Sequence, residues 1–208
     1  MSPTPSTIQE YDRAAPSPEQ TETATFALGC FWGPDARFGA LEGVVRTRVG
    51  YAGGTKADPT YHDLGEHSEA FQVDYDPEQR SFKSLLDLAF RSHDHTRQPS
   101  SIQYQNIVFA STAEQADAIA SYLDARGLTR EGIATRVEQL SRFHPAEDYH
   151  QKHSLRGRQS LLNTVEQAGY DDADIRESPA AAKLNGYAAG NDLPEGHDLG
   201  TSANRTVH

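Results

Sequence analysis

Apolar residues in this chain fall into short blocks with two different periods, and the blocks alternate through its middle. Thr25-Phe26-Ala27-Leu28 is a compact apolar run closed by Gly29, which predicts a buried strand. Directly after it, Gly33 suits an N-cap and Pro34 the first helical position. Phe38 and Leu41 supply an apolar face, and Gly43 stands where the helix would end. Val45, Thr47, Val49 and Tyr51 then alternate with other residues, as Phe71, Val73 and Tyr75 do with Gln72 and Asp74. That period of two predicts strands. The stretch between them, Ala52 to Glu66, reads as a loop.

After Asp76-Pro77 the period lengthens. Phe82, Leu85, Leu86, Ala89 and Phe90 stand at helical spacing and predict an amphipathic helix. Tyr104 to Phe109 reads as a strand. Thr112 and Gln115 form a capping-box pattern ahead of Ala116, Ile119, Ala120 and Leu123, with Gly127 at the stop. A last strand is expected near Thr135 to Leu140. The order β-α-β-β-α-β followed by α-β predicts an α+β fold. Its form is a ferredoxin-like split β-α-β sheet with helices on one face, a two-layer sandwich with long surface loops. Residues 23–170 are expected to form this single domain. Residues 1–22, rich in Pro, Ser, Thr and Glu, and residues 171–208, rich in Ala, Gly, Asn and Asp, lack apolar periodicity and are expected to be flexible tails.

Composition narrows the partners. At 208 residues the chain suits one ordinary domain, and a formal charge of -11 disfavours nucleic acid and anionic lipid, both of which are bound through Lys and Arg. Lysines are few (Lys56, Lys83, Lys152 and Lys183), so an acidic surface suited to a salty cytoplasm and an ordinary acidic protein are both consistent. Met1 to Ser6 lacks the basic and apolar regions of a signal peptide, and no apolar run reaches a bilayer's width, so a cytoplasmic location is expected.

Cys30 is the only cysteine, which excludes an internal disulfide, a thiolate zinc site and a Cys-x-x-Cys pair. It lies between a buried strand and a helix start, where unpaired amides and the helix dipole favour a thiolate. A lone cysteine serves equally as a small buried hydrophobe. Phe31 and Trp32, the only tryptophan, either wall a pocket for an apolar group or belong to the core. Gly53-Gly54-Thr55-Lys56 lacks the spacing of a phosphate loop and reads as a turn. His93-x-His95 and His150-x-x-His153 complete no ligand set of recognised spacing, so these histidines read as surface or hydrogen-bonded, and no metal or cofactor is expected.

Gly29-Cys30-Phe31-Trp32-Gly33 resembles the signature of the A-type peptide methionine sulfoxide reductases, here in a one-cysteine form. Further landmarks follow in order: Gly50-Tyr51-Ala52-Gly53-Gly54, Pro59-Thr60-Tyr61, His67-Ser68-Glu69, Tyr75-Asp76-Pro77, His93-Asp94, Gln103-Tyr104 and Pro145-Ala146-Glu147-Asp148. The resemblance implies that Cys30 attacks the sulfoxide sulfur, Glu69 donates a proton to its oxygen, and Tyr61 and Tyr104 hydrogen-bond that oxygen. It implies that Phe31 and Trp32 enclose the methyl group on sulfur. The substrates would be oxidised proteins or peptides, or the free amino acid as its S epimer. With no second cysteine, a sulfenic acid on Cys30 would be resolved by an external thiol such as a thioredoxin-like protein. The family's Asp-x-Gly-Thr-Gln-Tyr pattern is here Pro99-Ser100-Ser101-Ile102-Gln103-Tyr104, without the acid, and the glycine that commonly precedes His-x-Glu is Glu66. Two rival readings stay open: a cysteine hydrolase or acyltransferase activated by His67 or His150, and a non-catalytic redox module on the same scaffold.

Overall fold

The computed structural model describes residues 2–194, 199 and 200. Its elements are α1 (Pro5–Ala14), β1 (Glu22–Leu28), α2 (Trp32–Gly39), β2 (Val44–Ala52), β3 (Ser68–Tyr75), α3 (Phe82–Arg91), β4 (Asn106–Ala110), α4 (Ala113–Asp124), β5 (Arg136–Gln139), β6 (His144–Pro145), α5 (His153–Arg156), α6 (Gln159–Gln167), α7 (Asp172–Glu177) and α8 (Pro179–Ala188). The predicted element order holds from β1 to β5. The strands form one sheet in the order β5-β4-β1-β3-β2-β6. Within its four middle strands each neighbouring pair is antiparallel, so β1 and β2 run parallel with β3 between them, as a split β-α-β unit requires, and β5 adds parallel to β4 through the α4 crossover. The two-residue β6, on the outer edge of β2, has no periodic signal in the sequence.

Alternation along the strands sends one stripe to a deep core. Ala24 and Phe26 of β1, Phe71, Val73 and Tyr75 of β3 and Val49 and Tyr51 of β2 meet Phe38 of α2, the apolar stripe of α3 and Ile119, Tyr122 and Leu123 of α4. The rings of Phe26, Phe38 and Phe71 lie 5.0–5.8 Å apart and mark its centre. The other face is shallow. Ala27, Ala52, Ala70, Ile107 and Phe109 form a small cluster against which Leu140 and Phe143 pack, while Arg46 and Arg48 close on Asp74 at 3.4 and 2.7 Å.

The chain ends depart from expectation. Residues 1–22 and 171–208 were predicted as flexible tails, yet within the described part α1, α7 and α8 fold against α5 and α6 around Ile8, Leu155, Val165, Ile175 and Leu184. Positions 195–198 and 201–208 lie outside the described residues. The sequence hides α8 because its Pro179–Ala188 segment is small-sided and buried on nearly every face, so there is no polar stripe for periodicity to detect. Close packing is the reason for the small residues: a Cβ on Gly186 would lie 2.7 Å from the Ala40 Cβ. Lys183 donates from Nζ to the carbonyls of Gly39, Leu41 and Val44 at 2.8, 2.5 and 2.7 Å, satisfying carbonyls at and beyond the C-terminal end of α2. Asn185 donates to Asp35 at 2.8 Å near the start of the same helix.

Candidate active site

The site forms where β1 ends and α2 begins. Gly29, at φ +71, turns the chain, and Cys30 after it is exposed. The predicted N-cap, Gly33, already lies within α2, which starts at Trp32 with Phe31 as its N-cap. The expected thiolate-favouring shift is also reversed. Desolvation among its neighbours pushes the Cys30 thiol pKa up, and the charge of Glu69 adds to this. The Trp32 amide, which hydrogen-bonds the sulfur, pulls the other way and does not prevail.

Glu69 is the polar end of an otherwise apolar stripe, on the same face of β3 as Phe71, Val73 and Tyr75. It lies opposite Tyr51 in register and is only 1% exposed. Its Oε2 accepts the Phe31 N–H at 3.0 Å, and its Oε1 accepts Gln103 Nε2 at 2.8 Å. Burial raises its pKa despite both donors. Tyr104, predicted in a strand, instead ends a short 3₁₀ turn, Ile102–Tyr104, that precedes β4. Desolvation, a hydrogen bond with Tyr61 and the nearby charges of Glu69 and Cys30 all push the Tyr104 pKa up. Cys30, Glu69, Tyr61 and Tyr104 thus converge from four separate segments.

The aromatic neighbours divide their tasks. Phe31 is 1% exposed and belongs to the main core, with its ring 6.1 Å from Tyr51 and 5.2 Å from His150. Trp32 is half-buried and stacks on His153 at 3.7 Å.

The segment after β6, whose only expected role is that of His150 as the base of the hydrolase reading, ties the site residues together. Glu147 accepts the Tyr51 hydroxyl at 2.7 Å and the Tyr61 N–H at 3.0 Å, tying the long loop to β2. Burial pushes the Glu147 carboxyl up, but these donors outweigh it and hold its pKa below the usual range. His150 is neither surface nor hydrogen-bonded, contrary to expectation. It is buried, its ring 4.6 Å from Tyr61, and neither its ring nitrogens nor the Trp32 indole N–H has a hydrogen-bond partner among the described residues. The motif Pro145-Ala146-Glu147-Asp148 was the only available signal for this segment.

The geometry weakens the hydrolase reading. His67 accepts the Gly54 N–H at 3.0 Å through Nδ1 and faces the Lys56 carbonyl at 2.8 Å through Nε2, so both nitrogens hold the loop. His150 makes no bond to sulfur. Among the described residues no group of three His, Cys, Asp or Glu side chains is arranged to hold a metal ion, and no helix is long and apolar enough to cross a membrane.

The chain is similar to proteins of one known family. A family model described as peptide methionine sulfoxide reductase matches residues 22–179. The chain is 42% identical over 171 residues to the peptide methionine sulfoxide reductase of Drosophila melanogaster, covering 81% of this chain and 68% of that one. It is 39% identical over 183 residues to peptide methionine sulfoxide reductase A5 of Oryza sativa subsp. japonica, covering 85% and 71%. Among solved structures, methionine sulfoxide reductase A of Corynebacterium diphtheriae aligns with a TM-score of 0.57 at 32% identity, over 69% of this chain and 77% of that one. The chain belongs to the peptide methionine sulfoxide reductase family and is a thiol-dependent oxidoreductase.

Proposed function

We propose that this enzyme reduces the S epimer of methionine sulfoxide, in proteins or free, through attack of Cys30 Sγ on the sulfoxide sulfur. The observation that carries the reading is the hydrogen bond from the Phe31 amide to Glu69, which holds a buried carboxyl of raised pKa one residue from the nucleophile. A sulfoxide sulfur becomes electrophilic as its oxygen gains a proton or strong hydrogen bonds. Glu69 supplies the proton, Tyr61 and Tyr104 donate to the oxygen, and Trp32, backed by Phe31, meets the methyl group. The oxygen passes to Sγ, so that thiol and sulfoxide become sulfenic acid and thioether, a two-electron exchange.

Charge coupling assists the first step. Ionised Glu69 is one of the groups that keeps Cys30 protonated. Protonating Glu69 removes that repulsion, so an acid ready to donate and a thiolate ready to attack favour one another. Cys30 is the sole cysteine and is exposed, which supports resolution by an external thiol, with a thioredoxin-like protein as the partner. Two thiols return Cys30 to its reduced form and release a disulfide and water. No prosthetic group enters the cycle.

The test incubates each epimer of a methionine sulfoxide substrate with dithiothreitol, alongside Cys30→Ser. The S epimer is expected to yield one methionine per thiol pair, with no turnover by the variant. Failure of the wild-type protein to reduce the S epimer overturns the reading. Thiol-independent turnover of an ester by Cys30 would favour the hydrolase instead.

A further inference from the structure

Gln103 touches the candidate acid and adjoins a candidate oxygen donor. It lies in the middle of the turn Ile102–Tyr104, between Ile102, whose side chain is exposed, and Tyr104. Its Nε2 donates to Glu69 Oε1 at 2.8 Å, and it is the only side chain that bonds this carboxyl among the described residues. The other carboxyl oxygen, Oε2, accepts the Phe31 N–H at 3.0 Å. The backbone beneath Gln103 is pinned. Ser68, the neighbour of Glu69 on β3, donates its hydroxyl to the Ile102 carbonyl at 2.6 Å, and the Tyr104 N–H closes the turn on the Ser101 carbonyl at 3.2 Å.

The two partners of Glu69 differ in one respect. A backbone N–H can only donate, so it holds Oε2 as an acceptor in both protonation states and leaves the proton to Oε1. A glutamine side chain ends in a donor and an acceptor, set on a broad, two-fold torsion. Facing Oε1, it can donate to a carboxylate and, once turned, accept from a carboxylic acid. Because the turn is pinned at its backbone, this rotation leaves Tyr104 in place.

We propose that Gln103 is a positioning residue whose side-chain amide follows the Glu69 proton, accepting a hydrogen bond from the protonated acid and donating to the carboxylate left once the sulfoxide oxygen has taken the proton. The inference rests on the reading of the pocket as a methionine sulfoxide site. In this step the O–H bond of Glu69 breaks and one forms on the sulfoxide oxygen, which leaves the methionine sulfur for Cys30 Sγ. Thiolate and carboxylic acid become sulfenic acid and carboxylate. At a carboxyl only 1% exposed, solvent does little for the charge left behind, so a protein donor is required. Cys30 before α2, Tyr51 on β2 and Tyr104 in the turn are the titratable groups that interact with Glu69, and none of the three can offer it a positive charge. The orientation in this structure, Nε2 on Oε1, suits the charged form. That charge-assisted bond is the stronger of the two, which agrees with Gln103 lowering the Glu69 pKa against the effect of burial.

The test follows methionine formation in single turnovers of N-acetyl-methionine S-sulfoxide across pH, in the wild type, Gln103→Met and Gln103→Glu. Gln103→Met keeps the length of the side chain without its donor and should lower the plateau rate about 10- to 100-fold. Its decline should begin about half a pH unit to one unit above that of the wild type, because the carboxylate loses the stronger bond. Gln103→Glu offers a donor and an acceptor only while protonated, so it should approach the wild-type rate in acid and lose it as pH rises. A carbon-13 NMR titration of the Glu69 carboxyl in the substrate-free protein, assigned against Glu69→Gln, should show the same upward displacement in Gln103→Met. A plateau unchanged in Gln103→Met, or an equal loss at every pH with decline and titration unmoved, overturns the proposal, the second by making Gln103 merely structural. So does a Gln103→Glu no faster in acid than Gln103→Met. A wild type that reduces no S sulfoxide would overturn the reading of the pocket instead, so the two failures are distinguishable.

Discussion

Glu69 and Glu147 are two carboxylates that share Tyr51 as a neighbour. Glu69 faces Tyr51 across the β2–β3 ladder, and Glu147 accepts the Tyr51 hydroxyl. Each carboxylate takes hydrogen bonds from one backbone amide and one side chain, yet their pKa values move in opposite directions. At Glu69, 1% exposed, the cost of burying charge exceeds what the donors return. At the half-buried Glu147 the donors prevail. One residue type thus yields a group that holds a proton and a group that holds a charge, and depth decides which. The first suits chemistry and the second suits positioning.

Breaking the proton-holding side should have the larger effect. Glu69→Gln is expected to slow the chemical step about 100-fold or more, read as single-turnover methionine formation. The wild-type rate is expected to decline as pH rises through the raised Glu69 pKa, and the same variant should remove that decline; a decline that persists would assign the proton to another group. Glu147→Gln weakens the grip on Tyr61 without touching the oxygen, and a loss of about tenfold is expected, carried more by kcat than by KM.

Away from the pocket, Asn185→Leu strips a donor from buried Asp35 and should cost about 1–3 kcal/mol in urea titrations while kcat of the folded enzyme stays near wild type. A matching fall in kcat would show that α8 also positions the nucleophile.

The finest distinction lies in the sign of the stability effects. The pKa of Glu69 is raised on folding, so the stability linked to its protonation is present in acid and is lost as pH rises through the raised value. Glu69→Gln should therefore raise Tm at neutral pH. The pKa of Glu147 is lowered, so its contribution is present at neutral pH and is lost as pH falls through the depressed value. Glu147→Gln should lower Tm at neutral pH by about 2–4 °C, equivalent to about 1 kcal/mol, and the deficit should vanish in acid. Shifts of the same sign would remove the contrast between the two carboxylates.

Elements with a clear period are legible in the sequence. The Phe71-Val73-Tyr75 alternation and the Phe82-to-Phe90 stripe mark β3 and α3 because each has one apolar side and one polar side. The gathering of Cys30, Glu69, Tyr61 and Tyr104 was legible only through a resemblance of motifs, since no local rule joins a turn, a strand end and two loops. Glu147 lay inside a recognised motif without a role, and His150 had one only as the base of the rival hydrolase reading, because their partners Tyr51, Tyr61 and Phe31 are distant in sequence. The helical layer at the chain ends was missed for the opposite reason: α8 has no polar face to contrast with its buried ones.

By itself the sequence determined the element order from β1 to β5, the split β-α-β topology, the solitary thiol and the family motif, because these rest on local periodicity and on residue identity. Tertiary structure alone decided how the site is charged. Whether a carboxyl keeps its proton, whether a helix start lowers or fails to lower a thiol pKa, and whether an isoleucine faces solvent all depend on depth and on partners brought in from remote segments, and a linear pattern carries neither.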